Sequence, residues 1–441
     1  MIKRIFNSAY RLFHNIKANI AFYPAIISLV GFGFAFLMMY IESLGASQYL
    51  SENAPVLVVN NAETARSLLT TFVGGLISIM VFSFSLVMIL LNRATNNFSP
   101  RLLPGLISNK RHQVVLGIYN GALLYCIFTL VAVVPEDGNT QIPGFSVLLG
   151  IVFMTFSLAA FIYFIHSISQ EIQVNNMMGK IYDTSKKRLN DLIDDEEEGD
   201  IDFDDTSEWE VILADKTGYL QDVNLKALAS LTEDLDLKLE IVPIKGAYVL
   251  SGIPIVKYMG NLDEDNKKEI LEAILFSNDE LIEDNYVLAF KQITEIAVKA
   301  MSPGINDPGT AINAIDYLTE LFAIRMAKRD KTYYSNDNNE AVISIRTVNF
   351  DELIYNVMAG LRTYCKHDVI VVQKLLVMFR YLLHKKNVLN AEYKKAVISE
   401  IVNLKTDALS EIKNKTDKKV IQDYCDFLEE HNPTDFEFKI K

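Results

Sequence analysis

The chain has 441 residues, half of them hydrophobic, and its formal net charge of −13 is divided unevenly along the sequence. Residues 1–180 hold 10 Lys and Arg against 6 Asp and Glu, and residues 181–441 hold 32 against 49, which is typical of a membrane region joined to a soluble domain. The acidic second part argues against duplex nucleic acid as a main partner, because counterion release requires clustered Lys and Arg.

Four apolar runs are long enough to cross about 30 Å of hydrocarbon at about 1.5 Å per residue. They are Ile20–Ile41, Ser67–Leu91, Val114–Val134 and Phe145–Ile165. The first run is too long for the apolar part of a cleavable signal peptide, and no clear small-x-small cleavage site follows it. The preceding segment 1–18 mixes basic and apolar residues, which is typical of a helix lying on an anionic leaflet.

Lys and Arg in the short loops indicate how the four predicted spans are oriented. The N-terminal segment holds four of them, and the loop between the second and third spans holds Arg93, Arg101, Lys110 and Arg111. The loops at 43–63 and 135–144 hold none. We therefore expect a multi-pass protein of the bacterial inner (plasma) membrane with both termini in the cytoplasm.

Small and hydroxyl-bearing residues recur at intervals of three and four along one face of the second span. They are Thr71, Gly75, Ser78 and Ser85, with Gly74 beside Gly75 and Phe82 continuing the spacing between the two serines. Such a face either lines a water-filled pathway in an oligomer or allows close helix packing. Asn120 lies in the third span near Gly117 and Gly121. A polar residue at this place indicates either a water-filled pathway or a contact between helices. The candidate pore-lining set is Thr71, Gly75, Ser78, Ser85 and Asn120.

A helix break is predicted in the loop after the second span. Pro100 disfavours helical geometry at Ser99, and Ser99 can then cap a new helix whose first residue is Pro100. Together with Asn97 and Arg101, these residues predict a sharp elbow at the membrane surface. Arg101 would lie near phosphate headgroups or a neighbouring helix end.

The fold predicted from the sequence is an α-helical membrane protein with four transmembrane helices, followed by a cytoplasmic α+β domain. Its predicted parts are an interfacial segment at 1–18, a four-helix transmembrane domain at 19–167, a helical stalk and acidic linker at 168–205, a β-rich module at 206–260 and a mainly helical domain at 261–441. In the last part, apolar periodicity predicts one helix through Ile270, Leu271, Ile274 and Leu275.

Two segments of the cytoplasmic part are candidate ligand sites. The acidic run Asp194–Asp205 imitates the register of a calcium-binding loop, but Glu fits the third and fifth positions poorly, and a solvated linker is the other interpretation. The turn Ser302–Pro308 separates two predicted helices, with Asp307 as N-cap of the second. Its free N–H groups can bind an anion, Asn306 and Asp307 can meet a cation, or the turn only caps the helices. Its candidate residues are Ser302, Asn306 and Asp307.

Several stretches resemble the bacterial predicted membrane proteins called domain of unknown function 2254. The stretches are ARSLLTTFVGGLISIMVFSFSLV, NNFSPRLL, QVVLG, FIHSISQEIQV and SPGINDPGTA, the last being the most specific. The resemblance implies a multi-pass membrane protein with a cytoplasmic C-terminal region, and it implies no activity. Lys291 stands where the family pattern has Arg before Gln292, and Lys cannot reproduce a bidentate fork.

The sequence contains no P-loop, GxGxxG, GxSxG, HExxH or kinase-type motif, and its six His and three Cys lack ligand spacing. We therefore expect neither an enzyme nor a cofactor. The predicted function is an oligomeric ion channel or pore with a cytoplasmic regulatory domain. Its expected partners are the lipid bilayer, further copies of the chain and a small ion. The alternative is a membrane-anchored sensor or scaffold whose cytoplasmic domain binds an ion, a nucleotide or a protein.

Overall fold

The computed structural model describes residues 21–97, 110–133, 142–171, 173–194, 203–277, 285–335, 340–386 and 388–432. The chain divides into two compact units, Met1–Gln173 and Val174–Lys441. The predicted interfacial segment 1–18 lies outside the described residues, and so do the elbow residues Ser99, Pro100 and Arg101.

In its described residues the first unit has four long helices, each apolar enough to cross a membrane. Its helices are α1 (Phe22–Ser43), α2 (Ala46–Asn53), α3 (Ala62–Asn97), α4 (Lys110–Ala132) and α5 (Gly144–Glu171), with a 3₁₀ turn at Pro55–Leu57. The four long helices coincide with the four predicted spans. Helix α3 is longer than its span at both ends, and Asn97 of the predicted elbow is its last residue.

The outer surface of the first unit is apolar. Helix α4 contacts α1, α3 and α5 and buries a larger share of its residues than any of them. Large side chains point outward from these helices, and Leu29 and Ile162 are 68% and 69% exposed. Apolar surface in water costs about 25 cal/mol per Å². A hydrocarbon environment removes this cost, which favours a membrane location for the unit.

In its described residues, the second unit begins with a mixed group of ten helices and strands. A largely helical group follows. The first group comprises α6 (Val174–Asp194), β1 (Glu210–Leu213), β2 (Gly218–Val223), α7 (Leu225–Leu235), β3 (Lys238–Ile241), β4 (Tyr248–Val249), β5 (Pro254–Met259), α8 (Glu264–Ala273), β6 (Ile274–Ser277) and α9 (Tyr286–Ala300). The second group comprises α10 (Pro308–Arg325), β7 (Lys331–Ser335), β8 (Ala341–Arg346), α11 (Phe350–Cys365), α12 (Val369–Leu383), α13 (Ala391–Glu411) and α14 (Lys415–His431).

Eight strands form two small sheets in the described part of this unit. The larger sheet has the order β1-β5-β3-β8-β7 and is antiparallel except for the parallel pair β3 and β8. The smaller, antiparallel sheet has the order β4-β2-β6. Strands β7 and β8 lie in the region predicted as mainly helical, in which the sequence left Val342–Val348 open as a strand or an extended loop. They join the sheet because Ile343 pairs with Leu239 of β3 and both side chains are buried in the same core.

Two local features of this region differ from the sequence interpretation. The helix predicted through residues 270–275 ends at Ala273, and Ile274 begins β6. The strand forms because Phe276 and Ile274 pair with Leu220 and Val223 of β2. Helix α7 was not predicted, although the Asn224 side chain caps it by accepting from the Ala227 N–H at 3.2 Å.

Helix α6 packs into the second unit against α9 and α10. Its inner face buries Met177, Met178, Ile181, Tyr182, Ser185 and Leu189. The Tyr182 hydroxyl donates to Glu320 of α10, and the Asn313 amide donates to Asn175 Oδ1 at 3.3 Å. The segment predicted as a stalk is therefore one of the packed helices of this unit.

Candidate functional site

The hydroxyls predicted to line a pore lie on a face of α3 that the described helices leave exposed. Thr71, Ser78 and Ser85 are exposed, and a Cβ at Gly74 would meet no described atom of another helix within 4 Å. Each hydroxyl donates to a carbonyl of α3 four residues earlier, at 2.8, 2.8 and 2.9 Å. The donors are thus satisfied within the helix, and the oxygens keep acceptor capacity. We call Thr71, Gly74, Ser78 and Ser85 the α3 stripe.

Gly75 and Asn120 are less exposed than the residues of the α3 stripe. A Cβ at Gly75 would stand 3.2 Å from Met154 Cε, so this glycine faces α5. Asn120 is half-buried on α4. The structure therefore leaves three of the five pore-lining candidates exposed on α3, whereas Gly75 faces α5 and Asn120 is half-buried on α4.

The glycines beside Asn120 are positions of close packing between α1 and α4. A Cβ at Gly117 would stand 2.7 Å from Ile27 Cδ1, and a Cβ at Gly121 would stand 3.1 Å from the Ile27 carbonyl oxygen. At Gly31 of α1, a Cβ would stand 2.5 Å from the Gly121 carbonyl oxygen. Small residues four apart allow two helix backbones to approach in this way.

Glu42, in the last turn of α1, is a polar residue that the sequence interpretation did not single out. Its Oε1 accepts from the Ser146 N–H at 2.8 Å and from the Ser146 hydroxyl at 3.0 Å. Its Oε2 accepts from the Ser47 hydroxyl at 2.6 Å, and that hydroxyl accepts from the Phe145 N–H at 2.9 Å. The carboxylate thus binds the N-terminus of α5, where free N–H groups and the helix dipole favour negative charge.

Arg66 makes the corresponding contact at the C-terminal end of α4. Its Nε and Nη2 donate to the Val133 carbonyl oxygen at 3.2 and 2.9 Å. This residue lies in the first turns of α3, next to the 43–63 loop in which no Lys or Arg was counted. The side of the membrane predicted to carry no Lys or Arg therefore has one Arg. The other side still carries more Lys and Arg, so the predicted orientation is unchanged.

The turn Ser302–Pro308 is a capped connection between α9 and α10. Asp307 accepts from the Thr310 N–H at 3.1 Å and from the Thr310 hydroxyl at 2.6 Å, and these bonds hold the pKa of Asp307 below its usual value. The Ser302 hydroxyl donates to the Lys299 carbonyl at 2.6 Å. Asn306 adopts a left-handed backbone with φ of 48°.

These contacts bear on the three interpretations of the turn. The Asp307 carboxylate already supplies negative charge to the N-terminus of α10, so an external anion would meet repulsion there. The hydroxyls of Ser302 and Thr310 are engaged within the turn itself. The arrangement fits a turn that caps two helices.

The acidic run is described only at its two ends. Residues 195–202 lie outside the described residues. Asp204 forms an ion pair with Lys238 of β3 at 2.6 Å. Asp205 accepts from the Ser207 hydroxyl at 2.6 Å and from its N–H at 3.1 Å, which lowers the pKa of this carboxyl.

Metal-binding and thiol chemistry find little support in the described part of the chain. No group of three His, Cys, Asp or Glu residues that could hold a metal ion occurs there. Cys126, Cys365 and Cys425 are free and buried. Burial raises the pKa of Cys365 to about 12 and that of Cys425 to about 11, so neither is a thiolate at neutral pH.

Comparison with known proteins gives one family. A family model described as "Predicted membrane protein (DUF2254)" matches residues 17–381. Uncharacterized proteins from Mycobacterium bovis and Mycobacterium tuberculosis are 23% identical to the chain over 370 residues, which cover 81% of this chain and 70% of each relative. No solved structure matches the chain.

Proposed function

The chain belongs to the DUF2254 family of predicted membrane proteins, and we propose that it is an oligomeric channel or pore of the bacterial inner membrane. In this proposal the α3 stripes of several copies line the pathway, and the second unit is a cytoplasmic regulatory domain. The observation that carries the proposal is the exposure of Thr71, Ser78 and Ser85 on one face of a long, mainly apolar helix.

The stripe has the chemistry that a narrow hydrated path requires. Its hydroxyl protons are held by backbone carbonyls, so the oxygens turn outward as acceptors for a hydrated cation. Gly74 adds no side chain to the face and lets neighbouring copies approach. The apolar neighbours Ile77 and Val81, 43% and 59% exposed, supply the contacts between copies.

Conductance of the purified full-length protein in planar bilayers tests the proposal. We expect Thr71→Val, Ser78→Ala and Ser85→Ala each to change the single-channel conductance by about twofold or more, because each removes an acceptor from the path. Thr155→Val is the matched control, since the Thr155 hydroxyl is also exposed and also donates to its own helix, at 2.9 Å, but on α5.

Two results would contradict the proposal. One is a silent bilayer when incorporation of the protein has been verified. The other is an equal effect of Thr155→Val and the three stripe substitutions. Silence combined with ligand binding by the second unit would favour the membrane-anchored sensor or scaffold.

A further inference from the structure

Three buried hydroxyls inside the first unit have no hydrogen-bond partner among the described residues. They are Ser83 Oγ on α3, Tyr119 OH on α4 and Ser157 Oγ on α5, and all three residues are 0% exposed. Exposed hydroxyls of the same helices, such as those of Ser78 and Thr155, bond to carbonyls of their own helix. The buried hydroxyls of Ser83 and Ser157 do not make this bond.

The hydroxyls of Ser83 and Tyr119 are neighbours, but their geometry is not that of a hydrogen bond. Next to Ser83, the Phe82 ring lies 5.9 Å from the Phe161 ring of α5. Phe161 is one helical turn from Ser157. Helix α3 therefore brings its buried hydroxyl close to the level of Ser157 on α5.

Ring contacts between α4 and α5 place Tyr119 and Ser157 at one level. The Tyr125 ring lies 4.8 Å from the Phe153 ring, and the His112 ring lies 5.3 Å from the Phe164 ring. In the sequence, Tyr119 lies about midway between His112 and Tyr125 of α4, and Ser157 lies between Phe153 and Phe164 of α5. Since both side chains are fully buried, they point into the bundle at the same depth.

We propose that Ser83, Tyr119 and Ser157 together bind water in the interior of the four-helix bundle. A buried hydroxyl without a partner is unfavourable, and a buried water typically satisfies about three such groups. Hydroxyls donate and accept equally well, which suits a neutral ligand that does the same. The apolar residues packed around Tyr119, including Val115 and Ile168, direct that ligand to the three hydroxyls. The site lies within one chain, so it is independent of the outward-facing α3 stripe and of any oligomer.

X-ray hydroxyl-radical footprinting of the full-length protein in H₂¹⁸O tests for water at this depth. Radicals formed from a bound water label the side chain beside it, so we expect ¹⁸O incorporation at Tyr119. Tyr125 is the internal control, because it is also 0% exposed but its hydroxyl donates to the Ser146 carbonyl at 2.9 Å. Protection of Tyr119 equal to that of Tyr125 would overturn the proposal.

Substitution gives an independent test whose sign distinguishes a hydrated site from a dry one. If water is bound, Ser83→Ala, Tyr119→Phe and Ser157→Ala each lower the melting temperature in detergent, by about 2–4 °C, and the pairs are non-additive because they share a ligand. If the site is dry, each change removes an unsatisfied hydroxyl and the melting temperature stays or rises. Ser78→Ala, on the exposed face, is the control. A stable or raised melting temperature in all three variants would refute water binding.

Discussion

The Asp307 carboxylate holds the first turn of α10 through two hydrogen bonds from Thr310. Replacing an N-cap Asp by Ala typically costs about 1 kcal/mol, whereas Asn caps as well as Asp. We therefore expect Asp307→Ala to lower the free energy of unfolding of the second unit by about 1 kcal/mol at pH 7. Asp307→Asn should leave it nearly unchanged. Chemical denaturation of the two variants and the parent protein measures both values.

At acidic pH the stability of the parent protein should differ from that of the Asp307→Asn variant. Because the hydrogen bonds from Thr310 lower the pKa of Asp307, its contribution is present above the unfolded-state pKa and is lost as pH falls through the lower folded value. Below about pH 4 the parent protein should therefore lose stability relative to Asp307→Asn. An identical pH dependence of the two proteins would show that the carboxylate is not the cap.

Single residues could be predicted where their role depends on the local sequence. Asp307 before Pro308 indicated an N-cap, and the structure confirms it. The roles of Glu42 and Gly75 depend on Ser146 and Met154 of another helix, and no spacing within one segment encodes such a meeting. For the same reason, the buried hydroxyl of Ser83 did not stand out from the exposed hydroxyls of the same helix.

At the scale of elements, we expect α6 to contribute to the stability of the second unit. Removing it uncovers the apolar faces of α9 and α10, and each large buried side chain contributes about 1.5–3 kcal/mol. A fragment that begins at 206 should therefore melt roughly 10 °C or more below one that begins at Val174. Circular dichroism of the two fragments makes the comparison.

Point substitutions in the longer fragment control for the effect of chain length. Met178 is 0% exposed, so Met178→Asp should reproduce much of the loss. Asn190 is exposed on the same helix, so Asn190→Asp should not. Equal melting temperatures for the two fragments would mean that α6 contributes no stability to the unit.

Long elements were predictable from their own sequence pattern, whereas the change from helix to strand at Ile274 was not, for a physical reason. A span or a long amphipathic helix such as α9 repeats its pattern over many residues, so neighbouring contacts do not override it. Residues 274–277 are too few for a period to decide between helix and strand. Pairing with β2 decided the outcome, and that pairing involves residues about 55 positions away in the sequence.

For the whole molecule, the change in charge along the sequence and the division of the structure fall close together. Sparse charge extends to about residue 180, and the first compact unit ends at Gln173. For a family of predicted membrane proteins this agreement is expected, because hydrocarbon excludes charge while water favours it. Arg66 and Glu42 are charged residues within the sparsely charged part. They lie near helix ends, where they form hydrogen bonds with backbone groups.

The predicted orientation in the membrane concerns the whole molecule, and cysteine labelling in spheroplasts can test it. Gln48 on α2 and Asn190 on α6 are exposed, whereas the three native cysteines are buried and give little background. The bias of Lys and Arg places Gln48 outside and Asn190 in the cytoplasm. A membrane-impermeant maleimide should therefore label Gln48→Cys in intact spheroplasts and Asn190→Cys only after lysis. The reverse pattern would invert the topology, and labelling of both from outside would exclude a cytoplasmic second unit.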